Sequence, residues 1–374
     1  MPLLSVDELK VTFTGRGRRP TTAVAGVSFD VDEGQVVGLV GESGCGKSVT
    51  SLALMGLLPD KGVRVEGRAD YRGTDLLTLR QSALRDLRGT QLAMIFQDPL
   101  SSLNPVVPIG VQVTEILSRH RGMRGQAARR EAASLLDRVG IPDPTRRLKE
   151  YPHQLSGGMR QRALIAMAVA CAPRLLIADE PTTALDVTIQ AQILELLKEL
   201  VDQQGTALLM ITHDLGVVAG LCDEVNVLYA GKVVESADRR TLFAEPAHPY
   251  AHGLLNSIPR LDAPRGLPLN PVRGSINDQI AWADGCAFAP RCDFYTLECL
   301  HGTPDLGPLS GAEAPAGHQV RCVNPVREPL SVTTLAEVGV GGGEHPAGQG
   351  TTTVTARAAG AATAKATPKE ETSE

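Results

Sequence analysis

Aromatic residues and long apolar runs are both scarce in this sequence. Phe, Tyr and Trp together make up 3% of its 374 residues. The longest nearly uncharged apolar run, 163–173, is far shorter than the ~20 residues that a membrane-spanning helix needs. No signal peptide is visible, because the N-terminus leads directly into an alternating, strand-like pattern. These absences predict a chain that is soluble or, at most, peripheral to a membrane.

A large excess of one charge is also missing. The formal net charge is −5, so the chain as a whole has no electrostatic attraction to nucleic acid. Arginines do concentrate in the helix-like, glycine-poor region 100–150, at Arg119, Arg121, Arg124, Arg129, Arg130 and Arg138. No aromatic side chains lie among them to stack on bases, and acidic residues intervene. We therefore interpret this region as a solvated helix face.

The segment 41–48, GESGCGKS, follows the apolar run 36–40 and precedes the helix-compatible run 49–58. It matches the phosphate-loop pattern G-x-x-x-x-G-K-[ST] in its strand–turn–helix context. A helix N-terminus offers free N–H donors and partial positive charge to phosphates, and glycines let the backbone approach them. The eight-residue match disfavours an ordinary glycine-rich turn. The residues predicted to bind ATP here are Gly41, Glu42, Ser43, Gly44, Cys45, Gly46, Lys47, Ser48 and Val49.

Three side chains of this loop have specific predicted roles. Lys47 is expected to reach the β- and γ-phosphates, and Ser48 to bind Mg²⁺ through its hydroxyl. Cys45 lies at the helix N-terminus, which predicts a lowered thiol pKa and alkylation that ATP prevents.

Two carboxylates follow the buried, strand-like run 175–178. Asp179 is predicted to bind Mg²⁺, usually through water. Glu180 is predicted to polarise a water molecule for attack on the γ-phosphate. A turn with incidental acids is the alternative, but phosphoryl transfer needs a metal-holding acid of this kind.

Gln97 and His213 also follow apolar, strand-like runs, 92–96 and 207–211. In open α/β sheets, such positions lie at the edge where ligands bind. We expect Gln97 to contact Mg²⁺ or the attacking water, and His213 to contact the γ-phosphate. A solvent-facing loop side chain is the alternative.

A second helix terminus suited to anions occurs at 155–159, LSGGM. Ser156 is a good N-cap, and the glycines leave backbone N–H groups free. Further along, apolar residues at 3–4 residue spacing over 189–200 predict an amphipathic helix. Upstream of the phosphate loop, Phe13 could stack on adenine or belong to the core, and spacing alone does not decide between them.

The seven cysteines lack a secretion signal, which predicts a reducing cytoplasm, where clustered cysteines are metal ligands more often than disulfides. Cys171 and Cys222 resemble small buried hydrophobes. Four others, spaced C-x5-C-x6-C-x22-C, suit zinc or an iron–sulfur cluster, and the alternative is four unrelated thiols. These four are Cys286, Cys292, Cys299 and Cys322.

The motifs GESGCGKS, FQDP, LSGGMRQR, LLIADEP, TALD and ITHD, in this order, resemble the nucleotide-binding subunits of ABC transporters over roughly residues 5–235. The resemblance implies an α/β P-loop ABC ATPase with a RecA-like core, an antiparallel β subdomain and a helical subdomain at about 98–164. It assigns adenine stacking to Phe13, and it makes Glu180 the general base, with Gln97 and His213 as further catalytic residues.

The resemblance also implies a dimeric site. In this family the signature segment of one subunit closes over the ATP bound by the other, and the D-loop aspartate here is Asp186. The signature residues are Leu155, Ser156, Gly157, Gly158 and Met159.

Three further stretches, FQDPLSSLNP, HPYAHGLLNSIP and GCAFAPRC, are similar to the ATPase subunits of oligopeptide and dipeptide importers. This similarity implies an ATPase domain at 1–240 and a small, irregular, Cys-rich metal-binding segment at 241–329. The four cysteines would hold a 4Fe–4S cluster, with zinc second. Residues 330–374, poor in large apolar side chains, are predicted to form a disordered tail.

The implied function is ATP hydrolysis that powers peptide import at the cytoplasmic face of the cell membrane, with ATP and Mg²⁺ as ligands. The implied partners are a second ATPase subunit from a different chain, two membrane permeases and an extracytoplasmic substrate-binding protein, without nucleic acid. The alternatives are an ABC ATPase for another substrate, such as nickel or an oligosaccharide, and a soluble ABC ATPase without a transport role.

Overall fold

The structure, a computed structural model, describes residues 1–15, 19–183, 185–258, 272–274, 285–310 and 315–327. The strands are β1 (Leu4–Phe13), β2 (Thr21–Val31), β3 (Val36–Val40), β4 (Val63–Tyr71), β5 (Thr74–Asp75), β6 (Leu92–Ile95), β7 (Leu175–Asp179), β8 (Ala207–Thr212), β9 (Glu224–Tyr229), β10 (Lys232–Asp238), β11 (Gly307–Pro308) and β12 (Gln319–Val320). The predicted tail, 330–374, lies outside the described residues.

The α-helices are α1 (Lys47–Leu54), α2 (Gln81–Leu87), α3 (Pro99–Ser102), α4 (Ile109–Arg121), α5 (Gly125–Arg138), α6 (Pro144–Arg147), α7 (Gly157–Val169), α8 (Val187–Gln204), α9 (Leu215–Leu221), α10 (Arg239–Ala244) and α11 (Pro249–Asn256). Short 3₁₀ turns cover Leu76–Thr78, Pro152–Gln154, Ala289–Arg291 and Leu297–Leu300. None of the helices within the described ranges combines the length with the apolar character that a bilayer crossing requires.

Two sheets organise the described chain. The smaller sheet is antiparallel, with the order β2-β1-β4-β5. The larger sheet has the order β11-β12-β10-β9-β3-β8-β7-β6, in which β6, β7, β8, β3 and β9 run parallel. Strand β10 pairs antiparallel with β9 and β12, and β11 pairs antiparallel with β12.

Both faces of the parallel strands are buried, which explains their continuous apolar runs. In β7, Leu176 and Ala178 face a core shared with α4, α5, α7 and α8, whereas Leu175 and Ile177 face a core shared with the antiparallel sheet and α1. Successive side chains point to opposite faces of a strand, so one short run contributes to two cores.

Helix α8 confirms the amphipathic pattern predicted at 189–200. Asp186 is its N-cap and accepts a hydrogen bond from the N–H of Ile189 at 3.0 Å. Its buried side chains include Ile193 and Leu197. The arginines named above in the region 100–150 are all exposed, as predicted for a solvated helix face.

Two local features differ from the sequence pattern. Residues 76–87 do not form one continuous helix, because Leu79 and Arg80 have extended backbone angles between the 3₁₀ turn and α2. Residues beyond 300, expected to be irregular, add β11 and β12 to the edge of the main sheet through the pairing of Glu235 with Val320. Two-residue strands are too short to show a periodic pattern in the sequence.

Helix α11 begins at a fully buried histidine. The Nδ1 atom of His248 accepts a hydrogen bond from the N–H of Tyr250 at 3.1 Å and so caps the helix. Burial lowers the pKa of His248 to about 3. His248 is therefore neutral in the folded protein at physiological pH.

We predict that His248 lowers the stability of the protein in mild acid. Between its folded pKa of about 3 and its unfolded value of about 6.5, only the unfolded state binds the proton. The free energy of unfolding should therefore fall below pH 6.5, by about 1–2 kcal/mol at pH 5 from this residue. Urea unfolding near neutral pH and at acid pH would measure this loss.

The variant His248→Asn keeps a capping side chain but cannot titrate, so it should lose less stability in acid than the unmodified protein. His153→Asn, at an exposed position, is the matched control and should behave like the unmodified protein. An equal acid loss with and without His248 would contradict this account.

Candidate active site

The loop 41–48 joins β3 to α1 in a conformation that requires glycine. Gly41, Gly44 and Gly46 have φ values of +152°, +86° and +106°. A Cβ atom on Gly41 would lie 2.3 Å from the carbonyl oxygen of Leu228, and one on Gly46 would lie 2.5 Å from that of Ala23. A side chain at either position would clash with these backbone atoms, so only glycine fits at both positions.

The ammonium group of Lys47 lies over this loop. Its Nζ atom donates to the carbonyl oxygen of Gly41 at 2.7 Å and to that of Glu42 at 3.0 Å. Lys47 is buried, with 4% of its surface exposed. Because both acceptors are neutral carbonyls, its positive charge remains available to attract an anion into the loop.

Asp179 meets the start of α1 at the end of β7. Its Oδ1 atom accepts a hydrogen bond from Ser48 Oγ at 3.0 Å, and its Oδ2 atom accepts one from Ser51 Oγ at 3.5 Å. Burial raises the pKa of Asp179, and the charge of neighbouring Glu180 raises it further, against the lowering effect of the Ser48 hydrogen bond. A cation would favour the charged form here, and hydroxyl and carboxylate oxygens are ligands that Mg²⁺ prefers.

Glu180 is held by three side chains from different parts of the chain. Its Oε2 atom accepts from Gln97 Nε2 at 2.8 Å and from Thr183 Oγ1 at 2.9 Å, while Nδ1 of His213 lies 3.2 Å from Oε1. Its backbone has φ of +46°, in the left-handed region that non-glycine residues rarely adopt. The Glu180 N–H donates to the carbonyl of Ile211 at 2.8 Å, which fixes this turn.

The carboxylate of Glu180 is the charged form at neutral pH. Burial alone would raise its pKa, but hydrogen bonds from His213 and Thr183, together with the charges of His213 and Lys47, hold the pKa below its usual range. The two neighbouring acids are therefore shifted in opposite directions, since the pKa of Asp179 is raised.

The structure brings together the loop and the residues that follow the parallel strands. Lys47 and Ser48 lie beside Asp179 and Glu180, as the positions at strand ends predict. Gln97 and His213 both contact the carboxylate of Glu180, rather than standing apart as separate ligand contacts. Their predicted contacts with Mg²⁺, water or phosphate remain predictions.

The signature residues lie at the start of α7. Ser156 Oγ accepts a hydrogen bond from the Met159 N–H at 3.3 Å, and Ser156 and Gly157 are exposed. Gly158 packs so closely against Ile189 that a Cβ atom would lie 2.8 Å from Cγ2 of that side chain. The exposed start of α7 is therefore accessible to a ligand held outside this chain.

Phe13 lies at the end of β1, opposite Thr21 on β2 and Val63 on β4. It is partly buried and packs against the core that the antiparallel sheet shares with α1, as does Val49. This position fits a core residue with one accessible side, so adenine stacking stays a prediction.

Comparisons with known proteins identify the family. The model of the ABC transporter family matches residues 24–183, and that of the oligopeptide/dipeptide transporter C-terminal region matches 234–299. The dipeptide transport ATP-binding protein DppD of Bacillus subtilis is 52% identical over 79% of this chain and 88% of its own length. The oligopeptide transport ATP-binding protein OppD of Salmonella typhimurium is 48% identical over 88% of this chain and 95% of its own length.

The chain belongs to the ATP-binding proteins of oligopeptide and dipeptide ABC transporters. Among solved structures, it is similar to a dimeric, post-hydrolysis state of the ATP-binding cassette MJ0796 bound to ADP and Pi. That similarity has a TM-score of 0.57 and 28% identity, and it covers 63% of this chain and 99% of the cassette. The P-loop ABC ATPase fold expected from the motifs is thereby confirmed.

The metal site predicted at the four cysteines of the C-terminal segment is wrong. Across the parts of the chain that the structure describes, no group of three or more His, Cys, Asp or Glu side chains is placed to hold a metal ion. Burial raises the pKa of Cys286, of Cys292 to about 11, and of Cys322 to about 12. Because no such group is present among the described residues, the expectations of a 4Fe–4S cluster and of zinc at these three cysteines and Cys299 are both withdrawn.

The lowered pKa expected for Cys45 is also wrong. Its thiol is fully buried and lies 3.8 Å from Nζ of Lys47. Burial raises its pKa and outweighs the lowering effect of the Lys47 charge. The helix N-terminus suggested the opposite shift, but the sequence did not show that the side chain points into the protein. Cys222 is buried as expected, while Cys171 is only partly buried.

Sequence reasoning missed Ser51, Thr183 and Arg291. Ser51 contacts the carboxylate of Asp179, and it lies one helical turn after Ser48, so helical spacing could have indicated it. Thr183 contacts the carboxylate of Glu180, and its place in the loop that follows Glu180 could have indicated it. Arg291 contacts Glu42 of the phosphate loop, 249 residues earlier in the chain. No local sequence pattern indicates such a contact.

We predict that Cys45 resists alkylation in the folded protein, because its thiol is buried and protonated. Iodoacetamide treatment at neutral pH, followed by peptide mass spectrometry, should leave Cys45 unlabelled while the partly exposed Cys171 reacts faster. Unfolding in urea should make both react alike. Native labelling of Cys45 at the rate of Cys171 would count against the buried position.

Proposed function

We propose that this chain is the ATP-hydrolysing subunit that powers peptide import, acting peripherally at the cytoplasmic face of the cell membrane. The observation that carries the proposal is the carboxylate of Glu180, which three side chains contact next to the Ser48–Asp179 pair and Lys47. The names of relatives, which are dipeptide and oligopeptide transport ATP-binding proteins, support peptide as the substrate class. No comparable observation favours nickel, an oligosaccharide or a role outside transport.

The phosphate loop and Lys47 bind the ATP phosphates in this proposal. The N–H groups at the start of α1 face an anion, and the Lys47 ammonium exchanges its carbonyl acceptors for phosphate oxygens. Ser43 and Gly44 are exposed at the loop tip, which leaves the cradle open to solvent and to a nucleotide.

The residues fit Mg²⁺ on their donor chemistry. Ser48 and Asp179 offer a hydroxyl and a buried carboxylate, and Gln97 offers an amide oxygen nearby. These residues would hold Mg²⁺, which when bound neutralises the charge that develops on the phosphates.

Glu180 is the general base. It accepts a proton from a water molecule as the water oxygen bonds to the γ-phosphorus and the bond to the β–γ bridging oxygen breaks, which yields ADP and inorganic phosphate. A lowered pKa keeps the carboxylate ready to accept this proton at neutral pH. Gln97, Thr183 and His213 orient the carboxylate, and His213 would also contact the γ-phosphate.

The functional unit is a dimer of ATPase subunits. The exposed start of α7, with the signature 155–159, would cover the ATP of a second ATPase subunit from a different chain, and Asp186 lies at the same interface. The dimeric form of the MJ0796 cassette supports this arrangement. Two permeases and an extracytoplasmic substrate-binding protein would complete the transporter.

We assign the parts of the chain accordingly. Residues 1–240 form the ATPase domain, with a helical subdomain at 98–164 that contacts the permeases. Residues 241–329 form a C-terminal segment, and the proposed tail, 330–374, lies outside the described residues. The order of elements supports the helical subdomain, because α3 to α6 lie between the parallel strands β6 and β7.

Replacing Lys47 tests the nucleotide site and the transport role together. Lys47→Ala should abolish detectable binding of Mg²⁺–ATP in calorimetry, because it removes the cation that faces the loop. In cells that lack this chain, uptake of a labelled peptide should return with the unmodified gene and with Lys10→Ala, an exposed lysine, but not with Lys47→Ala. Full peptide uptake in the absence of the chain would refute the proposed function.

Replacing Glu180 separates binding from catalysis. Glu180→Gln should bind Mg²⁺–ATP as tightly as the unmodified protein but hydrolyse it about 10²–10⁴-fold more slowly, since proton transfer is lost. ATPase assays on the assembled transporter measure the rate of hydrolysis. The control is Glu33→Gln, which makes the same change at an exposed position. Normal hydrolysis by Glu180→Gln would exclude Glu180 as the base.

A further inference from the structure

The second residue of the phosphate loop is tied to the C-terminal part of the chain. The carboxylate of Glu42 accepts two parallel hydrogen bonds from Arg291, Nη1 to Oε2 and Nη2 to Oε1, each 2.8 Å long. The backbone N–H of Glu42 donates to the hydroxyl of Tyr250, also at 2.8 Å. Both the side chain and the backbone of one loop residue are therefore held by residues 249 and 208 positions later.

Arg291 is part of a buried cluster rather than a surface ion pair. Its side chain is 4% exposed, and its guanidinium lies 5.8 Å from the ring centre of Tyr229 and 5.9 Å from that of Phe288. Its Nε atom donates to the carbonyl of Arg273 at 2.6 Å. A bidentate guanidinium–carboxylate contact is strong and directional. The hydrogen bonds with Glu42 raise the pKa of Arg291 above its usual value.

Tyr250 is equally constrained. It lies in the first turn of α11, where His248 caps the helix through the Tyr250 N–H. Its ring is fully buried and packs against Tyr229 and Phe288, at centre distances of 4.6 Å and 5.4 Å. The hydroxyl therefore points at Glu42 from a fixed position.

We propose that Tyr250 and Arg291 form a latch that positions the phosphate loop, so that the C-terminal segment sets the affinity of the site for ATP. The latch rests on the proposed function, because it needs a loop that binds phosphates. Ordering a glycine-rich loop costs conformational entropy, and a loop that is already ordered binds its ligand more tightly. Arg291 also neutralises the negative charge that Glu42 brings into a loop for anionic phosphates.

The latch should affect binding more than turnover. Its contacts are made to Glu42, whereas the carboxylate of Glu180 is oriented by Gln97, Thr183 and His213. Loosening the loop therefore raises the concentration of ATP needed to fill the site. Once ATP is bound, the general base and its partners are unchanged.

Two variants in the assembled transporter test the latch through the KM for ATP and kcat. Arg291→Met should raise KM about tenfold or more, the factor expected when hydrogen bonds to a charged group are lost. Tyr250→Phe removes a single oxygen atom and should raise KM by about threefold to tenfold. In both variants kcat should stay within about twofold, and calorimetry with Mg²⁺–ATP should show the same loss of affinity.

Matched controls remove the same groups elsewhere. Tyr71→Phe loses a buried hydroxyl whose partner is Gln91, and Arg321→Met loses a guanidinium of the C-terminal segment that donates to the carbonyls of Val233 and Pro304. Neither residue touches Glu42, so both variants should keep the KM of the unmodified protein.

Charge and geometry are separated by two further variants. Arg291→Lys keeps the charge without the planar fork, so its KM should lie between those of the unmodified protein and Arg291→Met. Adding Glu42→Gln to Arg291→Met should lower KM again, because it removes a carboxylate left without its partner. Circular dichroism and thermal unfolding verify that each variant is folded.

The outcomes distinguish the latch from the function on which it rests. An unchanged KM in Tyr250→Phe and Arg291→Met, with normal Mg²⁺–ATP binding by the unmodified protein, would overturn the latch alone. Equal changes in the controls, or a lower kcat at constant KM, would indicate a general structural role and would also overturn it. An unmodified protein that does not bind Mg²⁺–ATP would instead refute the proposed function.

Discussion

The parallel pairing of β3, β8 and β7 is the constraint from which the site follows. Val40 pairs with Thr212 and Asp179 with Ile211, so these strands end at one edge of the sheet. The loop after β3, the acids after β7 and the histidine after β8 then have to meet there. The hydrogen bond between Ser48 and Asp179 joins segments that are 131 residues apart in the chain, and it exists only because of this alignment.

The two acids at this edge have different surroundings, which suits them to the two different roles that we propose. Asp179 is buried beside hydroxyl groups, and its raised pKa marks a carboxylate that a cation would stabilise. Glu180 receives hydrogen bonds from both His213 and Thr183, and its lowered pKa keeps the carboxylate ionised at neutral pH, as the proposed general base requires. Adjacent acids with opposite shifts are typical of sites in which one group binds and the other transfers protons.

The C-terminal segment contributes packing where metal binding was expected. The spacing of its four cysteines predicted a metal site, yet the described residues contain no group of three or more His, Cys, Asp or Glu side chains placed to hold a metal ion. Arg291, one residue before Cys292, makes the ion pair with Glu42, and Tyr229, Tyr250 and Phe288 surround it. In a chain with 3% aromatic residues, these three rings pack together next to the phosphate loop.

Local sequence patterns were enough to predict the strand–loop–helix of the phosphate site, the acids after β7 and the capped start of α7, because each depends on residues close together in the chain. Strand ends were also predictable, since both faces of the parallel strands are buried and their apolar runs are continuous. The burial of Cys45, the three donors to Glu180 and the contact of Arg291 with Glu42 are visible only in the folded chain. Those features depend on which distant segments pack together, and side-chain direction and long-range contacts leave no local pattern.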